Sequence, residues 1–199
     1  MSPNFRRRLL WLIGGRAAVV TLLLGSAILI QIQAPGSLPI DPFFFLIGLT
    51  YALTVVYVLL LRHAEQHRWL VDVQLAGDAA IVSALVYLTG GVSSYFTSLY
   101  TLPIIAASTI QSQRTGMMVG VLSSVMYAGL ASAQYFGTPA LPVVVGADSR
   151  PQERVALFIV FLNIFGFVAI ALLSGWLAER LRRTGAALEK TSNQLADLQ

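Results

Sequence analysis

Apolar residues run along this chain in blocks too long and too unbroken for the amphipathic helices of a water-soluble domain, where a polar face returns with every turn. The polar residues collect between the blocks. Six blocks approach the roughly 20 residues that an α-helix needs to cross the hydrocarbon of a bilayer, at residues 17–33, 43–61, 69–88, 96–110, 117–136 and 155–178. The first has room to begin as early as Leu9, with Arg16 reaching back to the headgroups. The fourth is short and contains Pro103, which removes a backbone donor and predicts a kink. The pattern thus predicts an all-α, polytopic membrane protein with six transmembrane helices.

Composition strengthens this reading. Of the 199 residues, 56% are hydrophobic and 11% charged, against about 25% charged in a soluble domain. The mean hydropathy is +0.74. A globule with so little charge cannot cover itself in water. There is no cysteine, which excludes disulfides, Cys-ligated metals and thiol chemistry.

Charge then sets an orientation. Arg6, Arg7, Arg8, Arg16, Arg62, Arg68, Arg114, Arg180, Arg182, Arg183 and Lys190 fall on one side of a six-span path; only Arg150 and Arg154 fall on the other. The positive-inside rule places both termini in the cytoplasm. The same placement makes the basic residues topology signals, so no nucleic-acid partner is expected. The opposite-side connections, 34–42, 89–95 and 137–152, are all too short to fold into a separate ligand-binding domain.

Polar residues inside the apolar blocks are costly and therefore informative. Asp72, Gln74 and Asp78 lie on the third block, with Gln74 and Asp78 on one helical face and Asp72 nearer the cytoplasmic edge, within reach of Arg68. Asn163 lies on the sixth. Gly90 and Gly91 follow the third block, suiting a C-cap and tight turn whose flanking aromatics could frame a shallow site for an amphiphile. On the fifth, Gly116, Gly120, Ser124, Ala128 and Ser132 place a small residue at every fourth position, a pattern that lets helix backbones approach closely. Whether that approach is within one chain or between two is open at this level. His63 and His67 are spaced i, i+4 around Glu65, but sit in a short polar connection without a metalloprotease pattern, so no metal is expected.

After Ala178 the chain turns charged while a heptad row continues: Leu181, Leu188 and Leu195 recur every seven residues, with Leu177, Thr184, Thr191 and Leu198 as a second row. Such a seam suits a parallel coiled coil that prolongs the sixth helix. Residues 1–178 are accordingly expected to form the membrane domain and 179–199 the start of a cytoplasmic linker. Because the seam still runs at Gln199, a longer protein is expected.

The stretch from Asp72 through Gly90-Gly91-Val92-Ser93-Ser94-Tyr95-Phe96 to Leu99-Tyr100-Thr101-Leu102-Pro103-Ile104-Ile105-Ala106-Ala107-Ser108, with its basic coiled-coil exit, resembles the membrane input domain of bacterial sensor histidine kinases, of the PilS-like and RegB-like groups. In the RegB-like group a Gly-Gly-x-x-Asn-Pro-Phe motif in the corresponding loop is associated with quinone binding. Gly90, Gly91 and Phe96 match it, while Ser94 and Tyr95 stand in place of its Asn and Pro. The resemblance implies a homodimeric sensor of the bacterial inner membrane, a quinone as candidate ligand, and a kinase core and response regulator acting beyond this chain. No catalytic motif of its own is present. A small transporter or channel working through Asp78 is the alternative expectation.

Overall fold

A computed structural model describes residues 14–15, 18–19, 21–22, 40–64, 69–136 and 153–196. Every regular element among them is helical. Helix α1 spans Ile40–Ala64, α2 Trp69–Leu88, α3 Thr101–Ile110, α4 Gln113–Tyr135 and α5 Glu153–Ala196, with 3-10 segments at Gly91–Ser93 and Tyr95–Tyr100. Residues 14–15, 18–19 and 21–22 are helical as well, and the Thr21 hydroxyl shares a 2.7 Å hydrogen bond with the Tyr51 hydroxyl on α1. The rest of the predicted first span lies outside the described residues, as do Glu65, His67 and the connection 137–152.

Among the described residues, three helices are long and apolar enough to cross a membrane, Leu70–Leu88, Gln113–Tyr135 and Arg154–Leu188, and two shorter apolar segments cover Phe44–Leu59 and Tyr95–Ile110. The shorter segment at Tyr95–Ile110 runs antiparallel to α2 over almost its whole length. Asp72 meets Gln111 at one end, Ser83 meets Tyr100 midway, and Thr89 meets Ser94 at the other. Sixteen residues suffice because the first six are wound as a 3-10 helix with about 2.0 Å rise per residue, giving roughly 27 Å in all.

Pro103, at which a kink is expected, follows directly on that winding. The proline is the third residue of α3, in the first turn, where its fixed φ suits the helix and a backbone donor is dispensable. The irregularity lies instead upstream, in the 3-10 segment. Helix α4 also starts a turn earlier than the hydrophobic block. Ser112 adopts extended backbone angles and its hydroxyl accepts from Thr115 N at 3.3 Å, a cap that recruits the polar residues Gln113–Gly116 into the helix.

Helix α4 is central, packing against α2, α3 and α5, while α1 packs against α2. Gly77 on α2 admits α1 closely: a Cβ there would lie 2.7 Å from the Tyr57 hydroxyl. The main core joins Val71, Leu75 and Val86 of α2, Ile104 and Ala107 of α3, Val119 and Tyr127 of α4, and Phe167 and Ala171 of α5. Tyr100, Tyr127 and Phe167 form a buried aromatic triad with centroids 5.2–6.1 Å apart in tilted and edge-on geometries.

Candidate functional site

Two polar constellations tie the bundle together, one at the turn between α2 and the Tyr95–Tyr100 segment and one where α5 leaves the bundle. At the turn, Gly90 has φ +126° and Gly91 φ +61°, conformations that L side chains rarely adopt. A Cβ on Gly91 would run into the Gln134 side chain of α4. The close approach has a use: Gln134 Oε1 accepts from Val92 N at 2.9 Å, and Tyr127 OH donates to Val92 O at 3.2 Å. Asn163 Nδ2 on α5 in turn donates to the Tyr127 hydroxyl at 3.2 Å and to Ile159 O at 2.9 Å. Both backbone groups of Val92 are thereby satisfied by side chains, as irregular backbone buried in a membrane protein requires.

The other motif residues divide by role. Ser94 is buried; its hydroxyl accepts from Phe96 N at 3.1 Å and shares a 2.6 Å hydrogen bond with the Thr89 hydroxyl. It caps the 3-10 segment, a position where Asn serves equally well. Phe96 packs against both apolar clusters. Tyr95 points away from the bundle, 96% exposed, and Ser93 is exposed as well.

At the opposite end, Gln111 closes α3 and joins three elements. Its Nε2 donates to Asp72 Oδ1 at 2.9 Å, its Oε1 accepts from Thr115 at 3.3 Å, and its backbone carbonyl accepts from Arg182 Nη1 at 2.7 Å. Arg182 Nη2 donates to Ser108 O, also at 2.7 Å. Asp72 is thus held by Gln111, while the expected pairing with Arg68 falls outside the described residues. Just inside, the Ser174 hydroxyl of α5 donates to the Ser108 hydroxyl at 3.0 Å.

Gly116 and Gly120 of α4 lie within this chain's own packing. A Cβ on Gly116 would meet the Ser108 side chain of α3, and one on Gly120 would lie 3.0 Å from the Ala171 Cβ of α5. Ser124 is buried, Ala128 half-buried and Ser132 exposed, so the row turns gradually off the interface. Gln74 is buried on α2, and Asp78, one turn on, is half-buried.

Helix α5 continues without a break from the predicted sixth span into the heptad region. Its 44 residues extend roughly 66 Å, against about 30 Å of hydrocarbon. Leu177 is exposed, as are Leu181 (65%) and Leu188 (68%). Leu195 lies on the helix, and Leu198 falls outside the described residues.

Sequence reasoning missed Gln111, Tyr127, Gln134 and Arg182. Signals for some of them were present. Tyr100 and Tyr127 sit within apolar blocks, away from the interfaces where tyrosine is usual, and Ala171, Gly175, Ala178 and Arg182 share one face of α5 with the smallest residues grouped there.

These features define a polytopic helical membrane domain whose last helix runs on beyond the bundle. A family model described as the PilS-like transmembrane domain, a six-span unit, matches residues 3–188. The chain belongs to that family. No curated protein and no solved structure matches the chain.

Proposed function

We propose that this domain is the input module of a two-component sensor histidine kinase in the bacterial inner membrane, with both termini in the cytoplasm. In this reading residues 1–178 form the sensor and 179–199 begin the linker to a cytoplasmic kinase core, which would act on a response regulator. The observation that carries it is α5: one unbroken 44-residue helix whose exposed leucine row, begun at Leu177 and Leu181, reaches Leu188 past the arginines Arg180, Arg182 and Arg183. Lipid cannot cover leucines beyond the headgroups, whereas the same face of a second copy can, in a parallel two-fold pair completed by Leu195 and Leu198. A signal then acts by favouring one of two helix-packing states, to the extent that it binds them unequally. At the turn, Gly90, Gly91, Ser94 and Phe96 serve the backbone and its packing, which leaves Tyr95 as the side chain placed to meet an amphiphile such as a quinone.

The test fuses the chain, in heptad register after Leu198, to a histidine kinase core in bacterial membranes. Inserting one residue after Leu188 rotates everything downstream by about 100°, and autophosphorylation is expected to change by about fivefold or more, while a seven-residue insertion restores it. Output indifferent to register would refute the module as a signal source.

A further inference from the structure

We propose that Arg182 is the residue that positions the exit helix, by fastening α5 to the closing end of α3, and that engagement and release of this contact set the azimuth at which the leucine seam is presented. The proposal rests on the sensor reading above.

Three arginines stand together where α5 leaves the bundle, and their surroundings differ. Arg180 lies over the Trp176 ring, 5.2 Å from its centroid. Arg183 pairs with Glu179 on its own helix at 2.9 Å. Arg182 alone turns into the bundle, half-buried, with two nitrogens each 2.7 Å from a carbonyl, those of Ser108 and Gln111. These carbonyls belong to the last turn and C-cap of α3, the negative end of its dipole, and the planar guanidinium fork suits two acceptors at once.

Packing beneath the contact makes it reachable. Ala171, Gly175 and Ala178, on the same face as Arg182, are buried, and a Cβ on Gly175 would lie 2.5 Å from Gln113 Cγ on α4. The small face lets α5 approach closely enough for Arg182 to reach α3. Gln111 then gathers the other helices, holding Asp72 of α2 and Thr115 of α4 by its side chain while its carbonyl accepts from Arg182. A displacement of α2 or α4 is thus felt at the residue that Arg182 grips. Leu181 and Leu188 lie about 100–120° round the helix from Arg182, so the contact leaves the seam uncovered while fixing its direction. Two charge-assisted hydrogen bonds, made or released to headgroup water, provide a discrete rather than a graded setting.

The absence of cysteine permits a direct test. Thr109 and Thr184, both exposed, are replaced by cysteine and spin-labelled in the full chain, and the interspin distance distribution is measured in lipid nanodiscs. A single narrow distance is expected with Arg182, a broadened or displaced distribution with Arg182→Gln, and an intermediate one with Arg182→Lys, whose ammonium lacks the fork. In the kinase fusion, Arg182→Gln should change basal autophosphorylation by at least about fivefold at unchanged membrane level. Should Arg182→Gln fail to accumulate, Arg182→Lys carries the same comparison. An unchanged distance distribution overturns the proposal. A changed distance with unchanged output, in a fusion that still responds to a one-residue insertion, overturns the coupling and leaves the sensor reading standing. A fusion indifferent to both changes removes the sensor reading and the proposal together.

Discussion

The two ends of the bundle solve the same problem with different chemistry. At the α2 turn, irregular backbone is buried against the helices and held by neutral groups, the Gln134 carbonyl oxygen and the Tyr127 hydroxyl on either side of Val92. At the exit, the C-terminal carbonyls of α3 are met by the charged guanidinium of Arg182, 71 residues beyond Gln111 along the chain. Neutral hydrogen bonds packed against the helices and backed by glycine geometry have few competing partners within reach, so the turn end is suited to stay put. A guanidinium at the edge of the bundle can exchange carbonyls for headgroups or water, so the exit end is suited to change. Under the proposal for Arg182, the turn is the fixed point of the domain and the exit its movable point.

The largest test of the contrast is Gly91→Val. It forces a β-branched residue into left-handed backbone and drives its side chain into Gln134, at a cost of about 2–4 kcal/mol. Unfolding in a denaturing detergent should show the loss, and Gly48→Ala, where a Cβ meets nothing within 4 Å, should show none. Equal behaviour of the two variants would mean that the turn is not held as described.

Next in size is Tyr127→Phe, which removes the hydroxyl between Val92 and Asn163 and should cost about 1 kcal/mol. Combined with Asn163→Leu the losses should be less than additive, since both act on one chain of hydrogen bonds. Full additivity in a double-mutant cycle would separate the two residues.

At the other end, Gln111→Ala removes the side chain that joins Asp72 to Thr115 but leaves the carbonyl that Arg182 holds. A loss of about 1 kcal/mol or less is expected, and hydrogen exchange should rise in the first turns of α2 and α4 while the turn at Val92 is unaffected. Faster exchange at Val92 would break the proposed independence of the ends. Smallest of all is Arg183→Gln, whose ion pair with Glu179 is largely exposed and should change stability by less than about 0.5 kcal/mol. A larger effect would mean that the three exit arginines act together rather than Arg182 alone.

Much of the architecture was readable because a bilayer imposes simple requirements. Apolar blocks of sufficient length become helices since backbone groups in hydrocarbon must bond within their own segment, and the blocks at 43–61, 69–88 and 155–178 reappear within α1, α2 and α5. The short fourth block was harder. Residue type alone does not announce a 3-10 start, nor that Pro103 falls in the first turn of α3. Gly90 and Gly91 were legible as a turn from their chemistry, but what the turn packs against was not.

The sequence by itself determined which blocks suit lipid, where the chain turns and where a leucine row prolongs the last block, because these depend on residues close together along the chain and on the solvent around them. Only the tertiary structure decided that Gln134 and Tyr127 hold Val92, that Gly116 and Gly120 face α3 and α5, and that Arg182, not Arg180 or Arg183, reaches Gln111. Those pairings span 35 to 71 residues for the hydrogen bonds named, and helical periodicity specifies a face without specifying its partner. The partner is chosen by close packing, in which a missing Cβ or a single fork of donors selects one neighbour among several of similar polarity.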